Sequence, residues 1–103
     1  MGKRHYAPNA KLIVVAPSEW ERAVAENTNP EQLLGVLVRS TEFAPSEATC
    51  ALLPSDPVAF ARQLYGVLHR LDAECDVILV QAVPDTSAWG AIRDRLERAS
   101  CPR

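Results

Sequence analysis

Short apolar runs, bounded by proline or polar residues, recur along the chain and are separated by longer segments with helical spacing. The runs cover residues 11–16, 34–38, 49–53 and 76–80. They are apolar at nearly every position, whereas a half-exposed strand would alternate polar and apolar residues. The pattern therefore predicts four buried strands, of which the first is covered on both faces and the third is the weakest.

Amphipathic segments between these runs predict helices. Ser18 and Glu21 have the spacing of a capping box, which predicts a short helix that ends at about Asn27. Asp56 followed by Pro57 is typical of the start of a helix, with the carboxylate as N-cap and proline in the first turn. The apolar stripe of this second helix is formed by Phe60, Leu64, Val67, Leu68 and Leu71.

A last helix is predicted after Asp85 or Thr86, either of which can cap it. Its apolar face is formed by Trp89, Ile92, Leu96 and Ala99. The resulting order, β-α-β-β-α-β-α, predicts a single three-layer, Rossmann-like α/β domain. Its sheet would be mostly parallel, with about four strands and helices on both faces. The strand order stays open, because the link between the second and third strands, residues 40–49, contains no covering helix.

The composition is typical of one globular domain. The chain has 103 residues, of which 48% are hydrophobic and 23% are charged, and its net charge is −2. This charge gives no general attraction to nucleic acid, and no apolar run approaches the ~18 residues of a membrane span. We therefore expect neither nucleic-acid nor membrane binding.

The three cysteines are Cys50, Cys75 and Cys101, and they form no C-x-x-C pair. This spacing argues against a zinc site and against a disulfide framework. We expect Cys50 and Cys75 to be small apolar residues in or beside strands, which fits a reducing cytoplasm.

The predicted strand ends lack the residues of a nucleotide site. Pro17, Pro54 and Pro84 follow three strands at positions where a phosphate-binding loop needs glycine, and no glycine is expected to open a helix after a strand. His69 is expected on the solvent side of the second helix, and no His, Cys and carboxylate cluster has metal-binding spacing. We therefore predict no catalytic residue, no cofactor and no metal in this domain.

Charges of both signs crowd the last helix, over residues 93–98. One interpretation is a solvated face with local ion pairs between neighbouring turns. The other is a docking face for another domain, with Arg93 and Arg95 as its cations. The sequence leaves both interpretations open.

Several short pieces of the chain occur in an order that resembles one protein family. They are His5-Tyr6-Ala7-Pro8, residues 52–57, residues 60–65, Leu71-Asp72 and residues 89–99. Together they resemble, over essentially the whole chain, the C-terminal accessory domain of two-domain threonylcarbamoyl-AMP synthases. These enzymes begin the threonylcarbamoyl modification of adenosine in tRNA. In that family an H-Y-x-P segment closes the inter-domain linker, and a W-x-A-I-x-D-R-L-like helix ends the protein.

The resemblance implies that residues 1–10 belong to an inter-domain linker and that residues 11–103 form the accessory domain. The partner would be a YrdC-type catalytic domain of the same polypeptide, which condenses threonine, bicarbonate and ATP. His5, Tyr6 and Pro8 would lie on a lid over the catalytic opening. In the isolated domain, Tyr6 would instead pack on its own domain and His5 would be solvated.

The chain departs from the family pattern in two ways. It contains no catalytic domain, and it lacks the S-P-G-M sequence that usually precedes H-Y, so we expect it to be a piece of a longer cytoplasmic protein and inactive alone. The alternative is a free-standing Rossmann-like interaction or regulatory module without catalysis. A catalytic domain encoded directly upstream would decide between them. The sequence does not indicate an oligomeric state.

Overall fold

The elements follow one another in the predicted order. The computed structural model describes residues 10–100, which contain four strands and three α-helices. They are β1 (Lys11–Val15), α1 (Trp20–Asn27), β2 (Leu34–Val38), β3 (Thr49–Leu52), α2 (Pro57–Glu74), β4 (Val77–Gln81) and α3 (Gly90–Ser100). Short 3₁₀ turns at Pro17–Glu19, Thr41–Phe43 and Ser87–Trp89 join some of them. No helix in this described part has the length and apolar composition needed to cross a bilayer.

The strands form one sheet in the order β1-β4-β2-β3, and all three neighbouring pairs are parallel. β4, the last strand in sequence, is inserted between β1 and β2, with Ile78 opposite both Leu12 and Gly35. Parallel neighbours need crossover connections, and here these connections supply the layers on the two faces of the sheet. The predicted three-layer α/β fold is therefore confirmed, and its sheet is parallel throughout.

Two apolar clusters separate the sheet from its covering layers. The first, on the side of α1, contains Val15, Trp20, Leu34, Val36, Val38, Val77 and Leu79. The second, on the side of α2 and α3, contains Leu37, Ala51, Leu53, Phe60, Leu64, Leu71, Cys75, Ile78, Val80, Trp89, Ile92 and Leu96. We call these sides the α1 face and the α2/α3 face. Alternate residues of β2 and β4 point to opposite faces, which explains why β2 and residues 77–80 of β4 are apolar without interruption.

The connection between β2 and β3 takes the place of a crossover helix. Its 3₁₀ turn lies beside α1, where the indole Nε1 of Trp20 donates to the carbonyl oxygen of Phe43 at 2.9 Å. Phe43, Ala44 and Ala48 pack against the apolar cluster of the α1 face. A connection without a helix can therefore join two parallel strands, because its own apolar side chains cover the sheet.

Three burial predictions are wrong, and two of them fail for the same reason. β1 and β3 are the edge strands, so each has a neighbour on one side only. Val14 of β1 is 36% exposed rather than covered on both faces. Cys50 of β3 is also exposed, and its Sγ donates to the carbonyl oxygen of Pro45 at 3.3 Å, whereas Cys75 is buried as expected. In α3, Ala99 is exposed and does not share the buried face of Ile92.

The predicted apolar stripe of α2 is confirmed. Phe60, Leu64 and Leu71 are buried, and Val67 and Leu68 are partly buried against the same cluster. The ring of Phe60 meets that of Trp89 edge to face, with centroids 5.1 Å apart and an interplanar angle of 74°. This contact joins α2 to the start of α3, so the two helices cover the sheet as one layer.

We predict that Leu64→Ala lowers the free energy of unfolding by about 2–5 kcal/mol, since it removes a side chain that is 1% exposed and leaves a cavity. Tyr65→Ala is the matched control, because the neighbouring Tyr65 side chain is 69% exposed and its loss should cost less than about 0.5 kcal/mol. Chemical denaturation monitored by circular dichroism measures both. Equal effects of the two substitutions would contradict the orientation of α2.

Gly35 lies where the sheet and the end of α2 approach each other closely. A Cβ atom at this position would lie 2.8 Å from Sγ of Cys75 and 3.4 Å from Cδ2 of Leu71. Only glycine therefore fits without a shift of the neighbouring side chains. In α2, by contrast, a Cβ atom at Gly66 would meet no atom within 4 Å.

Alanine should accordingly have opposite effects at the two glycines. We expect Gly35→Ala to destabilise the domain by about 1–3 kcal/mol through overpacking. Gly66→Ala should stabilise it by about 0.5–1 kcal/mol, because alanine has the higher helix propensity. Thermal unfolding of the two variants measures both effects. If both substitutions destabilised the domain, the space available for a Cβ atom would not explain the loss of stability at Gly35.

Candidate functional site at the carboxyl edge of the sheet

The carboxyl ends of the four parallel strands lie at one edge of the sheet, which we call the carboxyl edge. Open α/β sheets bind ligands at this edge, where neighbouring strands continue into connections on opposite faces. The connections after β1 and β2 run along the α1 face, whereas β4 continues towards α3 on the other face. The end of β4 therefore lies between two strands whose connections leave on the other face of the sheet, which is the arrangement at which such sheets bind ligands.

Arg39 directly follows β2 at this edge and has a fixed side chain. Its Nη2 donates to the carbonyl oxygen of Ala82 at 2.7 Å, just beyond the end of β4. Its Cζ lies 5.4 Å from the centroid of the Trp89 ring, which is within cation–π range. The guanidinium is therefore held between the end of β4 and the start of α3.

The charge of Arg39 is not neutralised by a carboxylate of the described part of the chain. The ion pairs in that part of the chain join Arg22 to Glu19, Arg93 to Asp85 and Arg98 to Asp94, and none of them involves Arg39. The Nε of Arg39 is buried and has no hydrogen-bond acceptor. Desolvation by burial lowers the pKa of the Arg39 guanidinium, although an arginine stays protonated at physiological pH.

Gln81, the last residue of β4, is the buried polar residue beside Arg39. Its side chain is 6% exposed, and its Oε1 accepts from the backbone N–H of Arg39 at 3.1 Å. This hydrogen bond fixes the orientation of the amide, since only the oxygen can accept. The Nε2 group is thus a donor, and it has no acceptor within residues 10–100.

The predicted docking residues of α3 have different surroundings. Arg93 donates to the carbonyl oxygen of Pro84 at 3.2 Å and pairs with Asp85 at 3.4 Å. Arg95 is exposed, and no ion pair in the described range involves it. Arg93 therefore fastens the loop after β4, whereas Arg95 extends into solvent. A docking role for either residue stays a prediction.

One of the predicted helix caps is confirmed and the others are wrong. Asp56 is the N-cap of α2, and its Oδ2 accepts from the backbone N–H of Ala59 at 3.0 Å. Ser18 makes no capping bond, because it lies inside the 3₁₀ turn that precedes α1. Thr86 precedes a 3₁₀ turn and makes no cap bond either, and the carboxylate of Asp85 pairs with Arg93.

The glycine prediction also needs correction. Gly90 does begin α3, although it follows the 3₁₀ turn Ser87–Trp89 rather than a strand end directly. Its backbone has helical angles, with φ −58° and ψ −47°. Gly90 therefore continues a helical path and does not form a phosphate-binding loop.

A separate groove of about 370 Å³ lies on the α1 face. It is lined by Trp20, Glu21, Val24, Glu42, Phe43, Ala44 and Pro45. The carboxylates of Glu21 and Glu42 would repel an anionic nucleotide. The groove is therefore unsuited to the phosphate ligands that α/β folds often bind.

The other residues with catalytic or ligating side chains are scattered over the domain. His69 is exposed on α2, and its ring stacks on that of Tyr65 with centroids 6.0 Å apart. Within residues 10–100, no group of three or more His, Cys, Asp or Glu residues could hold a metal ion. His5, Tyr6 and Pro8 lie outside the described residues, so their role in a lid stays a prediction.

Sequence reasoning missed Arg39 and Gln81. The signal available was a charged residue directly after the apolar run 34–38 and a glutamine at the end of the run 76–80. That signal could not be interpreted without the strand order, because the two residues meet only when β4 lies beside β2.

Comparison with protein-family models gives a match over almost the whole chain. A family model described as "Threonylcarbamoyl-AMP synthase, C-terminal domain" matches residues 1–101. No curated protein and no solved structure matches the chain.

We predict that Asp56→Ala lowers the free energy of unfolding by about 1 kcal/mol, the usual loss for an N-cap. Ser18→Ala should change it by less than about 0.5 kcal/mol, since Ser18 is exposed and makes no capping bond. Urea denaturation of the two variants provides the measurement. A larger loss for Ser18→Ala than for Asp56→Ala would reverse this assignment of the caps.

Proposed function

The chain belongs to the family of threonylcarbamoyl-AMP synthase C-terminal domains, and we propose that it is the accessory domain of such an enzyme. Membership in this family implies a role in the formation of threonylcarbamoyladenosine in tRNA. The observation that carries the proposal is the match over residues 1–101, which includes both ends of the described domain. In this role the domain assists catalysis by another domain and performs no reaction of its own.

The chemistry of the carboxyl edge supports a non-catalytic role. Pro17, Pro54 and Pro84 follow strand ends where a phosphate-binding loop would need free backbone N–H groups. The carboxylate of Asp56 occupies the positive end of α2, where it competes with any phosphate. ATP is accordingly the substrate of the catalytic domain in this proposal and not a ligand of residues 11–103.

The partner in this proposal is the YrdC-type catalytic domain of the same polypeptide, and residues 1–10 form the linker to it. The end of this linker is attached to the domain, because the backbone N–H of Ala10 donates to Oδ1 of Asp72 at 2.8 Å. Lys11 then enters β1, and its N–H donates to the carbonyl oxygen of Asp76 at 2.9 Å. These hydrogen bonds fix the position at which the proposed linker leaves the domain, at the amino ends of the strands.

The lid function is assigned to His5 and Tyr6. The segment His5-Tyr6-Ala7-Pro8 lies outside the described residues and is assigned to the lid from its sequence. It carries an imidazole and a phenol, which can hydrogen-bond a substrate and exclude water when the linker closes. The net charge of −2 favours a protein partner over direct contact with tRNA. We propose that the enzyme acts in the cytoplasm.

We expect the purified 103-residue chain to form no threonylcarbamoyl-AMP from threonine, bicarbonate and ATP. The reason is that residues 10–100 contain no group of residues that could hold a metal ion, and that His69, the histidine of this part, is exposed and stacks on Tyr65. The measurement is product detection by mass spectrometry, with the two-domain enzyme as positive control. Formation of the product by the chain alone would refute the accessory role.

In the two-domain enzyme, replacement of His5 and Tyr6 together by alanine should lower turnover by about tenfold or more while the melting temperature stays unchanged. The control is Ser18→Ala, which changes an exposed residue without a capping bond at the opposite, carboxyl edge of the sheet. Steady-state kinetics and thermal unfolding are measured on both variants. Normal turnover of the His5/Tyr6 variant would exclude the lid role.

A further inference from the structure

We propose that the carboxyl edge between β2 and β4 binds a carboxylate, with the Arg39 guanidinium as its cation and the Gln81 amide as a second donor. The proposal does not depend on the assignment to the synthase family. It rests on the contacts of Arg39, Gln81 and Trp89, and it goes beyond the accessory role because it gives this edge a ligand.

Arg39 differs from the paired arginines of the described part. Arg22 and Arg98 form exposed ion pairs with residues three or four positions earlier in the chain, and Arg93 pairs with Asp85. Arg39 is partly buried and has only a carbonyl oxygen and an aromatic ring as partners. The half-buried guanidinium has lost part of its hydration, most completely at Nε, and it has no counter-ion in the described part of the chain, which is unfavourable for a cation. An anion from outside would supply the missing interaction.

The second donor is part of the same edge. Gln81 is nine-tenths buried, and the bond from Arg39 N–H to its Oε1 leaves Nε2 as an unused donor. Nε2 itself is open to solvent, because Nε of Arg39 is the side-chain atom of the described part that is both buried and without a partner, so a ligand can reach Nε2. Two residues on adjacent strands therefore offer N–H donors without acceptors, which is the arrangement that an acceptor-only ligand needs.

The shape of the site favours a carboxylate. Trp89 is 5% exposed and packs against Phe60, so its ring is a rigid wall behind the guanidinium. A guanidinium held in this way presents a planar fork that matches the two oxygens of a carboxylate. Arg39 supplies a single positive charge, which matches the single charge of a carboxylate better than the higher charge of a phosphate.

The test is a titration of the isotope-labelled 103-residue chain with acetate at constant ionic strength, followed by NMR. We expect saturable shifts of the Arg39 and Gln81 amides and of the Trp89 indole N–H, with a dissociation constant of about 1–10 mM, as suits a ligand of four heavy atoms. Inorganic phosphate at the same ionic strength should bind more weakly. Shifts spread evenly over the exposed arginines, or tighter binding of phosphate, would overturn the proposal.

Variants separate a specific site from general attraction to positive charge. Arg39→Gln should weaken acetate binding by about tenfold or more, and Arg39→Lys should weaken it less, because the charge stays but the fork is lost. Arg95→Gln removes an equal charge from an exposed position and should leave the affinity within about twofold. Equal losses for Arg39→Gln and Arg95→Gln would disprove the site. The amide spectrum of each variant shows whether it is folded. If Arg39→Gln is unfolded, Arg39→Lys is compared with Arg95→Gln instead.

Gln81→Glu gives an independent check. The new side chain keeps an acceptor for the Arg39 N–H but replaces the Nε2 donor by an oxygen. A carboxylate built into the edge should compete with added acetate and weaken its binding by about tenfold or more. Unchanged acetate binding by a folded Gln81→Glu variant would exclude Gln81 from the site.

A second titration identifies the source of the carboxylate. The separately expressed catalytic domain is added to the labelled chain, and acetate is then added as competitor. Shifts of the same amides that acetate reverses would identify an aspartate or glutamate of that domain as the ligand. Binding of acetate without any effect of the catalytic domain would identify a free small carboxylate. If neither acetate nor the domain shifts these amides, the proposal is wrong, whatever the outcome of the activity assays.

Discussion

The central position of β4 is the constraint on which the rest of the structure depends. All five residues of this strand are buried, and it pairs with β1 on one side and β2 on the other. Val77 and Leu79 belong to the apolar cluster of the α1 face, whereas Ile78 and Val80 belong to that of the α2/α3 face. Neither cluster is complete until β4 has entered between β1 and β2. Formation of the sheet and of both covering layers is therefore coupled.

The close contact at Gly35 is a consequence of this arrangement. α2 ends at Glu74, and Cys75 then leads directly into β4, so the chain must turn beside β2 with almost no connecting loop. The thiol of Cys75 therefore lies against the backbone of Gly35. A short connection, a buried cysteine and a glycine in the middle of a strand thus have one physical origin.

The two proposed functional regions lie at opposite edges of the sheet. The proposed linker would join the domain at the amino ends of the strands, where Oδ1 of Asp72 accepts from the N–H of Ala10. Arg39 and Gln81 lie at the carboxyl edge. A lid that closes over a catalytic domain and a carboxylate bound at the other edge would therefore act through separate surfaces. A substitution at one of these surfaces would not contact the other surface directly.

The sequence by itself determined the element order, the fold class and the family, because these depend on local patterns and on the order of short motifs. The cap at Asp56 and the stripe of α2 were predictable, since both lie within one helix. The capping box at Ser18 failed because a 3₁₀ turn, stabilised by the Ala16 carbonyl, precedes α1.

Tertiary structure alone decided which strands are at the edges, and with them the exposure of Val14 and Cys50. It also decided which residues meet at the carboxyl edge. Arg39 and Gln81 are 42 positions apart in the chain, and their hydrogen bond exists only because β4 lies beside β2. A strand buried on both faces has the same hydrophobic pattern wherever it lies in the strand order. The pattern therefore does not show which strands are its neighbours.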